Sequence, residues 1–249
     1  MKLQDKNTIV TGGASGFGAG IVARFLEEGA NVTIVDFDET AALAYMESLK
    51  SDRVHFEYAD LADGKSVAEL FDRLQARWSR LDVLVNNAGT THLPALLEDV
   101  SEKDFDKVFA VNSKSVYYTS KFAVPWMKQQ AAGAIVNIAS TAALSPRPHL
   151  TWYNASKGWL VTATKSMAIE LASESIRVNA ICPVAGETPL LASFMGTDTP
   201  ETREKFLSSI PLGRFSTPKD IAATALYLAS DEAAMITGVA LEVDGGRCI

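Results

Sequence analysis

Asn7-Thr-Ile-Val-Thr-Gly-Gly-Ala-Ser-Gly-Phe-Gly18 decides the fold. Residues 7–11 read as a short buried strand, and a glycine-rich turn follows at once. Gly20-Ile-Val-Ala-Arg-Phe-Leu-Glu-Glu28 then carries apolar residues at helical spacing and stops at Gly29, a residue suited to a helix C-cap. Strand, glycine turn and helix in that order form a dinucleotide site. Glycine lets the chain turn tightly and lets a pyrophosphate approach the helix N-terminus, where free N–H groups point outward. Gly12, Ser15, Gly16, Phe17 and Gly18 are the candidates for that contact. A glycine-rich turn alone is equally an ordinary strand-to-helix connection; the flanking elements favour the dinucleotide.

Moving outward, Asn31-Val-Thr-Ile-Val-Asp36 is a second strand that ends in an acid, roughly 20 residues after the turn. A carboxylate there would accept hydrogen bonds from adenosine ribose hydroxyls and repel a 2′-phosphate. No Arg or Lys lies in the turn or just after Asp36 to offset that repulsion, so NAD is expected over NADP. Helix and strand then alternate to the C-terminus. A helix is expected over 39–50, a strand over 54–58, a helix over 64–79, strands over 81–85, 133–140 and 176–182, helices over 153–173 and 217–230, and a last strand within 236–246. Asp60 and Leu61 close the third strand, where the carboxylate would meet the adenine amino group or merely cap a loop. Asn87, Ala88 and Gly89 follow the fourth strand, where small residues would let the chain pass close to a cofactor. Residues 104–130 read as one long helix with Pro125 inside, kinked or divided there. With no linker, repeat or low-complexity tract, residues 1–249 are expected to form one α/β domain. That domain would be Rossmann-type, doubly wound, with a parallel sheet flanked by helices on both faces.

Composition excludes several classes. A net charge of −7 with no basic cluster argues against a nucleic-acid partner. No apolar run approaches the roughly 18 residues of a membrane span. The first strand begins too early to leave room for a signal peptide, and the two cysteines, Cys182 and Cys248, lack paired spacing, so a cytoplasmic protein is expected. No His, Cys or carboxylate cluster has metal spacing, so no catalytic metal is expected.

The chemistry gathers at Thr151-Trp-Tyr-Asn-Ala-Ser-Lys157. On a helix, Tyr153 and Lys157 share one face. An ammonium one turn away favours the phenolate and pulls down a phenol pKa that is ordinarily near 10. A phenol tuned this way passes a proton to or from an alcohol or carbonyl oxygen. Ser140 ends the fifth strand, at the sheet edge where open parallel sheets bind ligands, and would hydrogen-bond the same oxygen. Asn112, in an apolar surround, must find partners if buried.

Together these motifs resemble the classical short-chain dehydrogenase/reductase (SDR) family, along the full length of the chain. Thr11-Gly12…Gly16-Phe17-Gly18 matches its cofactor turn, Asn86-Asn-Ala-Gly89 its fourth-strand motif, and Asn112, Ser140, Tyr153 and Lys157 its catalytic tetrad. The resemblance implies a seven-stranded sheet, hydride transfer between an alcohol and a carbonyl, and a homotetramer built on the helices at 101–131 and 153–173. It implies that Lys157 and Tyr153 touch the nicotinamide ribose, that Asn112 anchors a water, and that Pro183, Val184, Gly186 and Thr188 lie along the nicotinamide. Here the chain departs from the family pattern: Val184 stands where glycine usually follows the proline, leaving the path over 184–187 open. Substrate contacts are expected from 90–97, 141–152 and 184–210, the last including a lid at about 187–210. Within these, Thr90-Thr-His92, Leu144, Arg147, His149, Trp152 and Phe194-Met195 are the candidate walls. His92 reads equally as a packing residue. The runs at 150–153, 186–196 and 210–215 are similar to a branch of aromatic alcohol dehydrogenases of the 4-formylbenzenesulfonate type. That likeness would set Arg147 or His149 against an anionic group. Sugar or polyol oxidation comes next, 3-oxoacyl-carrier-protein reduction is disfavoured by Asp36, and a turnover-free redox sensor need not keep Ser140, Tyr153 and Lys157.

Overall fold

The computed structural model describes residues 1–249. Seven strands form one sheet: β1 Asn7–Thr11, β2 Asn31–Asp36, β3 Val54–Tyr58, β4 Val83–Asn86, β5 Gly133–Ile138, β6 Ile176–Pro183 and β7 Ala240–Val243. Their order is β3-β2-β1-β4-β5-β6-β7, and every pairing is parallel. The chain therefore runs one way from β1 to β3, then crosses back to β4 beside β1. That reversal opens a crevice at the C-terminal strand ends.

Both faces of the sheet are apolar because consecutive strand residues bury into opposite layers. Val10, Ile34, Val83, Val85, Ala134 and Val136 join Ile21, Val22 and Phe25 of α1 (Gly16–Glu27) and Ile221, Ala225 and Leu226 of α9 (Pro218–Ala229). Their alternates Ile9, Val35, Leu84, Ile135 and Val178 join the other layer. There they meet Leu70, Phe71 and Leu74 of α3 (Gly64–Arg77), Ala123, Trp126 and Met127 of α5 (Ser115–Gln129) and Ala168 and Leu171 of α6 (Thr151–Leu171). Each fully buried Leu, Ile or Phe contributes about 1.5–3 kcal/mol through water exclusion. One polar thread crosses the second layer. Thr119 donates to Asn86, Asn86 to Asn137 and Asn137 to Thr164, at 2.8–2.9 Å and all buried. With its donors used, the thread fixes how α5 and α6 sit on β4 and β5.

Several elements differ from expectation. First, α1 begins at Gly16, inside the glycine turn, so the turn is also the helix N-terminus. Second, the stretch expected as one helix breaks at 110–114 and not at Pro125. The segment α4 (Glu102–Phe109) passes into a π-helical turn, Ala110–Lys114, before α5, and Pro125 lies inside α5 without ending it. The π turn carries Asn112, whose amide is drawn into hydrogen bonds outside the helix, the ordinary setting of such bulges. Third, the expected lid holds two short helices, α7 (Leu191–Met195) and α8 (Pro200–Leu207), and the last strand shrinks to 240–243. The remaining helix, α2, spans Glu39–Leu49.

Candidate active site

A cavity of about 640 Å³ lies along the C-terminal strand ends. Following the strand order, its wall passes from Asp36, Phe37 and Asp60, by Gly12, Ser15, Gly16 and Phe17, to Ser140, Tyr153 and Lys157, and on to Arg147, Phe194 and Phe206.

The glycine turn is shaped for a close approach. Gly12 and Gly16 hold φ of +61° and +54°, values that side chains disfavour. A Cβ on Gly18 would stand 2.0 Å from the Gly12 carbonyl oxygen, so this glycine serves tight packing behind the turn and is absent from the cavity wall. Asn87 clamps the turn from β4: its amide Nδ2 donates to the carbonyls of Thr11 and Gly12, each at 2.9 Å, and Thr11 Oγ1 receives the N–H of Asn87 and Ala88. Ser15 makes no side-chain cap, so the first-turn amides of α1 remain uncapped at the cavity wall. An uncapped helix start beside glycines with no Cβ suits the pyrophosphate of a dinucleotide.

Asp36 is almost wholly buried and accepts from the N–H groups of Ala14, Phe37 and Asp38. This fixes a carboxylate at the β2 exit. Phe37 beside it is 75% exposed and lines the same end, a broad apolar face that sequence reading missed because it follows the strand. Asp60 accepts from the Ala62 N–H, closing its own turn, and lines the wall with Leu61. At the other side of the turn, the path over 184–187 is defined by pairing with Ser216. Ser216 N–H donates to Ala185 O at 3.2 Å, Glu187 N–H to Ser216 O at 2.9 Å, and Ser216 Oγ to Val184 O at 3.1 Å. A Cβ on Gly186 would lie 2.2 Å from the Phe17 ring, so the glycine displaced from position 184 is required two residues later. Pro183, Val184, Gly186 and Thr188 all line the cavity, with Thr188 against Gly16.

Tyr153 and Lys157 stand on one face of α6 and are 5% and 4% exposed, buried together at the cavity wall. Lys157 Nζ donates to the Ile138 carbonyl at 2.8 Å. Ser140 caps the turn after β5 by accepting from Ala142 N–H at 3.1 Å, which fixes its hydroxyl at the wall. Asn112 does not line the cavity. Its amide accepts from Thr90 N–H and donates to Thr90 O and Ser156 Oγ, tying the loop after β4 to α6. A Cβ on Gly89 would be 3.5 Å from both Asn112 Oδ1 and Lys157 Nζ, so both groups converge on that glycine.

The electrostatics run opposite to the expected tuning. Burial pushes the Tyr153 phenol up to about 12, with the neighbouring Ser140 hydroxyl acting in the other sense, and burial brings the Lys157 ammonium down to about 8. Desolvation is the leading cause for both groups in the protein alone. The Cys182 thiol behind them is pushed up to about 11, mainly by burial, and stays protonated.

The substrate end needs correction at several residues. His149 is exposed, sits at φ +65° and does not line the cavity; its left-handed backbone turns the loop, and its carbonyl accepts from Ala95 N–H. Leu144, Trp152 and Met195 are absent from the wall as well; Trp152 instead packs edge-on against Phe105. His92 is a buried packing residue whose Nδ1 meets Leu93 O. Arg147 does line the cavity: its guanidinium lies 4.4 Å from the centre of the Phe206 ring and donates to Ser209. Phe194 meets the Tyr153 ring edge-on at 5.0 Å. Phe206 went unread because α8 is distant in sequence and short.

A doubly wound parallel sheet, a glycine turn at a helix start, and a buried Tyr–Lys pair with a serine beside it at the strand ends define the class of dinucleotide-binding oxidoreductases. The chain belongs to the classical short-chain dehydrogenase/reductase family. The family described as enoyl-(acyl carrier protein) reductase matches residues 12–247. The chain is 45% identical to 4-formylbenzenesulfonate dehydrogenase of Comamonas testosteroni, over the whole of both chains. It is 38% identical to a 3-oxoacyl-[acyl-carrier-protein] reductase of Thermotoga maritima, again over the whole of both. A crystal structure of a 3-ketoacyl-(acyl-carrier-protein) reductase from Brucella melitensis complexed with NADH superposes with a TM-score of 0.94 at 44% identity, covering 99% of this chain and 100% of that one.

Proposed function

We propose that the protein is an NAD-dependent dehydrogenase that moves a hydride between an alcohol, aromatic or anionic, and the corresponding carbonyl. The observation that carries this is the burial of Tyr153 and Lys157 with Ser140 in the wall of the cavity that the glycine turn opens onto. The NADH in the Brucella relative's structure and the aromatic sulfonate substrate of the Comamonas relative support it.

The nicotinamide dinucleotide supplies the hydride acceptor or donor when bound. Gly12 and Ser15 to Phe17 hold its pyrophosphate, Asp36 accepts from its adenosine ribose, Asp60 and Leu61 border its adenine, and Asn87 to Gly89 with Pro183, Val184, Gly186 and Thr188 border the nicotinamide end. The fixed carboxylate of Asp36 favours NAD over NADP. Ser140 Oγ orients the substrate oxygen. Tyr153 Oη takes the alcohol proton, and in the reverse direction returns it. Lys157 Nζ, held by Ile138 O, favours the phenolate and reaches the nicotinamide ribose. Because burial alone holds the phenol high, deprotonation of Tyr153 draws on added positive charge in the site, which oxidised dinucleotide carries. Asn112 keeps the Gly89–Thr90 backbone and α6 in register around Lys157 and anchors a water there. Residues 187–210 act as a lid. Tyr117, Trp159 and Ile169, exposed on α5 and α6, supply apolar surface for a homotetramer. Two free cysteines fit a cytoplasmic setting.

The test is NADH formation over a panel of benzylic alcohols, sulfonated and carboxylated analogues, aldoses, polyols and 3-hydroxyacyl thioesters, with NADP in parallel. Turnover of an alcohol with NAD is expected. Tyr153→Phe should cut kcat by about 100- to 10,000-fold while leaving NADH affinity within about threefold. Near-wild-type turnover in that variant ends the assignment, and thioester reduction alone, with NADPH, favours the carrier-protein reaction.

A further inference from the structure

Arg247 lies two residues from Ile249, far from every sequence motif of the site. Asp244 folds the tail back: its carboxylate accepts from Gly246 N–H at 2.9 Å and Cys248 N–H at 2.7 Å. Arg247 Nη1 then reaches Ser145 Oγ at 2.8 Å, and Ser145 lines the cavity two residues from Arg147. Neither arginine has a carboxylate partner anywhere in the chain. Arg247 Nε is buried with no acceptor at all. Arg147 spends one donor on Ser209 and rests on Phe206; burial first, and the charge of Arg247 after it, lower its affinity for its proton. One guanidinium on the cavity wall and a second bonded to Ser145 of that wall, both half-buried and without a carboxylate partner, are costly unless an anion completes them.

We propose that Arg147 and Arg247 form a two-arginine anion site that selects substrates bearing a sulfonate or carboxylate on an aromatic ring. This rests on the dehydrogenase function above and names its substrate class. The aromatic rings on the lid helices suit it. Phe194 abuts Tyr153 and Phe206 abuts Arg147, so apolar faces line the way from the proton-transfer group to the cations. The carbinol end sits at Ser140 and Tyr153, the ring passes between the phenylalanines, and the oxyanion takes the donors that Arg147 and Arg247 do not use. Guanidiniums are suited to this because their planar forks match oxyanion geometry.

Calorimetric titration of benzenesulfonate, benzoate and the neutral methyl phenyl sulfone into NADH-loaded protein tests the site without turnover. Both anions should bind at least about 10-fold more tightly than the sulfone. Arg147→Gln and Arg247→Gln should each narrow that ratio by about 10- to 100-fold, the range of a lost charge-assisted hydrogen bond, and Arg247→Lys should recover part of it. Equal affinity for anion and sulfone in the wild-type protein overturns the proposal, as does an Arg247→Gln effect of the same size on all three probes. Alcohol oxidation without anion preference sinks the arginine site and keeps the dehydrogenase. Arginine-dependent anion binding with no alcohol or carbonyl turned over does the reverse.

Discussion

The two ends of the cavity are built by different means. The dinucleotide end is made of backbone: positive-φ glycines, uncapped amides at a helix start, and side chains fixed by hydrogen bonds to the main chain. Asp36 accepts from three N–H groups and Asn87 donates to two carbonyls, so each side chain is held in place. The substrate end is made of side chains on short helices and a returning tail, and its cations keep donors to spare. One end is fixed for a constant ligand; the other is assembled from parts that substitution can change without disturbing the sheet.

Breaking the rigid end should cost most. In Gly18→Ala the new methyl meets the Gly12 carbonyl at 2.0 Å, a clash between backbone atoms that only movement of the turn relieves. Dinucleotide affinity should fall by more than about 100-fold, with about 1–3 kcal/mol of stability lost to overpacking, read by NADH fluorescence titration and urea unfolding. Unaltered NADH binding would show that the turn is softer than its contacts suggest. Next in size, Asp36→Ser removes the charge that opposes a 2′-phosphate. The ratio of kcat/KM for NAD over NADP should drop by about 10- to 100-fold, measured with one alcohol; an unmoved ratio would place discrimination elsewhere.

The smallest effect lies at the seam between the ends. Lys157 is buried with its ammonium held near 8, below the unfolded value of 10.5. Between those values the folded state binds fewer protons than the unfolded one, so stability rises with pH from about 8 and is fully gained above 10.5; it is lost as pH falls through 8. Without dinucleotide, wild-type Tm should therefore gain a few degrees on Lys157→Met between pH 8 and 10.5. Parallel curves over that window would mean that the amine is hydrated in both states.

The same division governs what the sequence made legible. The rigid end is local: strand, turn and helix are contiguous, and Asp36 falls at a fixed spacing, so its residues could be named from sequence. Helical spacing paired Tyr153 with Lys157 and the strand end offered Ser140, whereas Asn112 entered only through the family resemblance. Pro125 drew attention as the breaker because its ring opposes helix geometry, yet the irregular turn lies at 110–114, where Asn112 bonds to Thr90 and Ser156. Those partners belong to other elements, and no periodicity reports them. The substrate end was read least well for the same reason. His149 looked polar and near, but faces away, whereas Phe206 and Arg247 arrive from chain segments with no spacing relation to Tyr153. In the protein alone burial holds the Tyr153 proton; helical spacing counts the neighbouring charge but not the loss of water around both groups.

The contact of Gly186 with the Phe17 ring joins the two ends more firmly than either motif implies alone. A bulky ring in the turn and a bare backbone at the strand exit are two halves of one joint. A homologue that trims the ring frees the exit to bear a side chain, and one that keeps the ring does not.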